Sequence, residues 1–377
     1  MSSPSGRSVR LPSLTGMRFF AAFLVFLCHS FVLGYFDRAT ESALRPYAFA
    51  IGWLGVEFFF VLSGFVLTWS AREGDSPKHF WRRRLAKVFP NHIVMWVAAV
   101  LLALWAGWAV DLPKALPSLL LVHTWYPELE VIVSVNVVTW SLACDLFFYL
   151  MFPLIHPLVR KIPVRRLWWA AAAVAVTVMA LPAIAYAGLP GTPQLPGQDM
   201  SLTQNWFLVS FPPVRLLDFL LGVIMARIVL TGRWIRFGPL PAIGLLAAGF
   251  LVQVSLFPGV YSLTALIVVP IALLIPAVAT ADVRGGFTPF RSRALQWLGT
   301  VSYASYLVHY VVLAHAHTLL GAGRAWDAAP ATGIIAALFG VTTLISWALL
   351  RLVEEPAMRR WGGGGGSPAR KPSLENA

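Results

Sequence analysis

The feature that most constrains this chain is a succession of apolar runs about 20 residues long, the length an α-helix needs to cross the hydrocarbon core of a bilayer. They fall near 13–34, 48–70, 91–110, 136–158, 167–187, 206–226, 237–257, 260–280, 295–319 and 331–353. A shorter, proline-flanked stretch from Leu112 to Pro127 suits a re-entrant or interfacial piece better than a full span. Of the 377 residues, 58% are hydrophobic and only 12% charged, too few charges to give a soluble protein of this length its polar shell. The expected fold is an all-α polytopic membrane domain over 1–361, with about ten transmembrane helices. A flexible cytoplasmic tail at 362–377, opened by a glycine run, is expected after it.

Loop charges set the expected orientation. Most of the 29 Lys and Arg residues fall in alternate loops, which places both termini in the cytoplasm and the chain in the inner or plasma membrane. The net charge of +13 then reads as topology control and attraction to anionic headgroups. No nucleic-acid-binding module is present, so nucleic acid is not an expected partner. Met1–Arg10 runs into a full-length span without a small-residue cleavage site, as in a retained first helix. Cys28 and Cys144 provide neither a disulfide framework nor metal-ligand spacing, and no metal is expected.

Charged groups inside a bilayer cost roughly 2.5–3.5 kcal/mol each even on mild scales, so each needs a partner or a cavity. The spans contain Arg18, His29, Glu57, Asp145, Arg215, Asp218 and His309. By residue count, His29, Glu57, Asp145 and His309 share the outer half, an arrangement that suits an imidazole base held by a carboxylate. Helix-to-helix hydrogen bonding is the competing reading for Glu57 and Asp145. Arg215 and Asp218, three apart, can pair with each other. His315 and His317, two apart, point away from one another and read as outer-end side chains. Arg18 precedes His29 by nearly three turns, about 16 Å of rise, on almost the same helix face. The basic cluster Arg82, Arg83, Arg84 and Lys87 begins below Arg18. This layout suits a ligand with a polyphosphate head and a long thin arm reaching a base.

Five segments resemble the membrane acyltransferase-3 family, in family order. LPSLTGMRFFAAFLVFLCHS has the Arg, ten residues, His spacing in Arg18 and His29; GWLGVEFFFVLSGFVLTWS has the acidic position at Glu57 and the Ser-Gly step at Ser63. RRRLAKVFP is similar to the family's basic segment, TWSLACDLFFYLMFPL to its Trp-Ser-Leu helix, and GTVSYASYLVH to its helix ending in His309. Glu355-Pro356 adds a match near the end. The resemblance implies transfer of an acyl group, acetyl or another short acyl, from cytoplasmic acyl-CoA to a hydroxyl of a glycan, a lipid-linked sugar or a secondary metabolite. The wording LTGMRFFAA and WSLACDLFFY is most similar to the bacterial subgroup that includes macrolide O-acyltransferases.

The resemblance further implies a catalytic His29 with Glu57 or Asp145 orienting its ring. It assigns donor contacts to Arg18, Arg82, Arg83, Arg84 and Lys87, and substrate contacts to Ser63, Trp140, Ser141, Tyr303 and His309. Acyl-CoA is a co-substrate in this reading, and no permanently bound cofactor is expected. Two positions depart from the family pattern: Lys87 stands for a second Arg, keeping charge but losing a fork, and Asp145 stands for a Glu. The rival reading is a proton-coupled transporter, against which the one-sided basic cluster argues.

Overall fold

The computed structural model describes residues 10–72, 74–195, 200–256, 266–321 and 323–362. Its helices are α1 (Pro12–Val32), α2 (Arg38–Trp69), α3 (Pro77–Trp105), α4 (Leu112–Leu119), α5 (Leu129–Ile132), α6 (Thr139–Lys161) and α7 (Leu167–Gly188). These are followed by α8 (Leu202–Val209), α9 (Pro212–Leu230), α10 (Pro239–Leu256), α11 (Val268–Val283), α12 (Arg293–Leu319), α13 (Ala328–Leu349) and α14 (Glu355–Trp361). Among the described residues, 7 helical segments are long and apolar enough to cross a membrane. They are α1, α2, α3, α6, α7 with its preceding turn, α10 and the run from α13 through α14. The remaining expected spans coincide with α9, α11 and α12. The expected tail beyond Gly362, the basic residue Arg7 and the start of the span expected at 260–280 lie outside the described residues.

Local chemistry explains where helix ends depart from the hydropathy runs. Asp37 caps α2 by accepting from the backbone amides of Ala39 and Thr40, so the helix begins at Arg38, well before the apolar run. Ser76 caps α3, and Pro77 follows at its first position, which brings the whole basic cluster inside the helix. The span expected at 206–226 is broken: α8 ends at Val209, and Pro212-Pro213 open α9 as a separate helix. Leu112–Pro127 forms no span but the short α4, a left-handed residue at Leu121 and a 3-10 turn at His123–Trp125. Buried Ser118 ties this segment to α3 by accepting from the Trp96 indole at 2.9 Å.

Close helix crossings place the interior. A Cβ at Gly64 would strike the Phe219 carbonyl and one at Gly222 the Val61 carbonyl, so α2 and α9 meet at contact distance of their backbones. On the other side of α2, Gly52 packs on Cys28 and Gly55 on Ala21. The perimeter is apolar: α10 buries just Ala242 and Gln253, and Trp105, Leu154, Trp169 and Leu344 are each more than half exposed. Such faces suit hydrocarbon, and the helices satisfy their own backbone polar groups, as a bilayer requires.

Candidate active site

A cavity of about 120 Å³ opens between α1, α2, α3, α6 and α12. Its wall on α6 runs from Tyr149 through Asp145 to Ser141, about 12 Å at helical rise. At one end stand Arg18, Arg84 and Lys87; towards the other stand Ser141 and Tyr306.

The basic end uses only part of the cluster singled out in the sequence. Helical periodicity turns Arg84 and Lys87 into the cavity and sends the neighbouring positions elsewhere. The Arg84 guanidinium lies 5.6 Å from the Phe80 ring and 5.9 Å from that of Tyr149. Arg83 instead forms a two-bond ion pair with Asp75, in the connection before α3, and holds that carboxyl below the usual carboxylate range. Arg82 is exposed. The four expected donor contacts on α3 thus reduce to Arg84 and Lys87 within the cavity.

Glu354 joins this end from the far part of the chain. It accepts from Asn91 at 2.8 Å and lies 3.9 Å from the Lys87 ammonium. The sequence pointed to its neighbour Glu355, whose carboxylate pairs with Arg351 at 2.8 Å on the surface. A π-turn over Leu350–Glu354 inserts an extra residue into the helix and changes which acid faces inward. The one available signal was the adjacent pair of acids.

In mid-cavity Asp145 shares the space with Ser63 and Arg18. Tyr303 also lines the cavity and donates to the Val88 carbonyl at 3.0 Å. Ser141 and Tyr306 share a 2.6 Å hydroxyl–hydroxyl bond. Trp140 lines no part of the cavity; its ring supports the wall against Trp53 at 5.6 Å and Phe60 at 6.2 Å.

Beyond Tyr306 lies the histidine pair. The Tyr306 ring packs on that of His309 at 5.6 Å, and His309 Nε2 lies 3.0 Å from His29 Nδ1. His309 is buried and His29 half-buried. Among the described residues no carboxylate hydrogen-bonds either ring, which corrects the expectation that Glu57 or Asp145 holds His29. Depth was the error for Glu57. The α1–α2 crossing sets Gly52 against Cys28 and Gly55 against Ala21, so Glu57 lies more than a turn deeper than His29. Its side chain is buried within electrostatic reach of Arg215 and Asp218, which pair at 3.2 Å as their spacing suggested. His315 packs tilted on Trp108 at 4.8 Å and His317 edge-on against Tyr35 at 4.9 Å.

The sequence is similar to known proteins along most of its length. A family model described as an acyltransferase domain matches residues 11–351. Acyltransferase MdmB of Streptomyces mycarofaciens is 42% identical over 373 residues, 94% of each chain. Exopolysaccharide production protein ExoZ of Rhizobium meliloti is 29% identical over 327 residues, covering 83% of this chain and 91% of that protein. No solved structure matches. With a match running from the first span to the π-turn and a relative this similar along nearly its full length, the chain belongs to the membrane acyltransferase-3 family.

Proposed function

We propose that this multi-pass membrane protein moves a short acyl group, acetyl in the simplest case, from acyl-CoA to the hydroxyl of an acceptor. The observation that carries the reading is the cavity with three cations at one end and a histidine pair just beyond the other. A diphosphate and ribose phosphate suit Arg18, Arg84 and Lys87, which supply guanidinium forks and a point charge. In this reading that end faces the cytoplasm, where CoA thioesters are available, an orientation that the excess of Lys and Arg in alternate loops supports. The acyl-bearing arm then extends along the α6 wall, past Asp145 and Ser63, to the Ser141–Tyr306 end. Displacement of the Tyr306 ring brings the thioester to His29.

In the transfer step His29 takes the proton of the acceptor hydroxyl as its oxygen bonds to the thioester carbonyl carbon. Collapse of the tetrahedral intermediate breaks the carbon–sulfur bond, and the same proton passes from His29 to the departing thiolate. The products are the acyl ester and free CoA. The resemblance of LTGMRFFAA and WSLACDLFFY to the macrolide O-acyltransferase subgroup, and the name of the exopolysaccharide production protein among the relatives, support macrolide-like metabolites and sugars as first acceptors.

The test is release of CoA thiol from acetyl-CoA by purified protein, with and without a panel of macrolide and glycoside hydroxyl acceptors. Acceptor-dependent release is expected in the native protein. In His29→Ala it should fall by roughly 10²–10⁴-fold, the usual size of general-base catalysis, with CoA binding retained. Release within a few-fold of native in that variant, at equal CoA occupancy, overturns the reading.

A further inference from the structure

We propose that His309 is the positioning residue of His29: a buried neutral imidazole that accepts from His29 and does the work expected of a carboxylate. The proposal rests on the reading of His29 as the base. Three contacts fix the protons. His29 Nδ1 lies 3.0 Å from the Val25 carbonyl oxygen and 3.0 Å from His309 Nε2, and His309 Nδ1 lies 3.1 Å from the Ser305 carbonyl oxygen. A carbonyl oxygen can only accept. The Val25 contact therefore needs a proton on His29 Nδ1, and the Ser305 contact needs one on His309 Nδ1.

With both rings neutral, every contact is then satisfied. His29 shares its Nδ1 proton between the Val25 carbonyl and the lone pair on His309 Nε2, and its own Nε2 keeps a free lone pair. The opposite neutral arrangement, with His309 Nε2 donating to His29 Nδ1, would set ring lone pairs against two carbonyl oxygens. A doubly protonated His309 removes one of those clashes but buries a cation. His309 is 1% exposed, faces the rings of Phe26 and Tyr306, and has no carboxylate bonded to it among the described residues. The neutral pair with both protons on Nδ1 is the arrangement that fits.

The consequence is a base built without an acid. When His29 Nε2 takes the acceptor proton, the resulting imidazolium donates its Nδ1 hydrogen to His309 Nε2, a charge-assisted bond stronger than the neutral one it replaces. When the proton leaves with the thiolate, the pair returns to its starting state and His309 has not changed protonation. Aromatic contacts hold the planes: Tyr310 lies edge-on to His29 at 5.2 Å and Tyr306 against His309 at 5.6 Å.

Two measurements test this. Nitrogen-15 NMR of protein labelled at its 8 histidines, with the His29 signals assigned by their loss in His29→Ala, reads the tautomer directly. The proposal requires His29 protonated at Nδ1 and bare at Nε2; the reverse tautomer overturns it whatever the activity. The second is turnover of acetyl-CoA with an acceptor identified in the panel, comparing His309→Gln with His309→Phe. A Gln amide oxygen reaches the place of Nε2 and still accepts, so kcat should stay within about tenfold of native. Phe fills the space but cannot accept, and kcat should fall about 10²-fold with KM for acetyl-CoA unchanged. Equal activity of the Phe and Gln variants would reduce His309 to packing. An inactive His29→Ala beside a fully active His309→Phe sinks this inference alone, whereas an active His29→Ala removes the base on which it stands.

Discussion

The two cations that α3 turns into the cavity should not contribute equally to donor binding, and their difference can be worked from their partners. Lys87 has a carboxylate nearby, Glu354 at 3.9 Å, which competes with any phosphate for the ammonium. Arg84 makes no ion pair among the described residues; it lies against two aromatic rings. A hydrogen bond to a charged group contributes about 1.5–3 kcal/mol. Arg84→Ala should therefore weaken CoA binding by about 10- to 100-fold, since each 1.4 kcal/mol is a factor of ten. Lys87→Ala removes a charge that already has a carboxylate 3.9 Å away and should weaken it by less than about tenfold. The assay is titration of detergent-purified protein with CoA, at low salt and near 1 M salt, where the Debye length falls to roughly 3 Å. Native affinity should drop with salt, and the Arg84 variant should show a shallower dependence. Equal losses in the two variants would refute the partner argument, and unchanged affinity in the double variant would refute the docking site.

Asp145 faces Arg18 and Ser63, not His29, so Asp145→Asn should act mainly on KM for acetyl-CoA and hold kcat within about tenfold of native; a kcat loss approaching that of His29→Ala would return Asp145 to the base. At the α2–α9 crossing, Gly64→Ala places a methyl group against the Phe219 carbonyl and should cost about 1–3 kcal/mol, read as a lower melting temperature in detergent; an unchanged transition would mean that the crossing relaxes freely.

Much of the helical framework was legible because hydropathy is a local property: each expected span has a helix at its place. The failures have two sources. Capping side chains extend helices past the apolar run, as Asp37 and Ser76 do, and a double proline breaks one, as at Pro212-Pro213. The site was harder because residue counting gives depth only roughly and gives no direction. Counting puts Glu57 and His29 in one layer, yet the tight α1–α2 crossing separates them in depth, and the cavity-facing side of α2 carries Ser63 instead. The Arg215–Asp218 pair is legible because it lies within one helix, where spacing alone decides it. Glu354 could not be chosen over Glu355 by any regular period, since the π-turn shifts the face just before it.

What links the two ends of the site is α1. It carries Arg18 at the cationic end and His29 beyond the far end, so the distance between them is set by one rigid element. That element is pinned at its start: Ser13 donates to the Asp282 carboxylate through its backbone amide at 2.8 Å and its hydroxyl at 2.7 Å, and Arg291 holds the same carboxylate at 2.7 Å. Near its other end the His29–His309 bond ties it to α12. A helix fixed at both ends cannot rotate one residue without the other, because a one-residue change of register turns the helix by about 100°. The Arg-to-His spacing that first singled out these residues therefore has a mechanical meaning. Under the proposed function it keeps the guanidinium offered to phosphate and the lone pair of the base in step across the length of the cavity, so that seating the head of the donor also sets the reach of its arm.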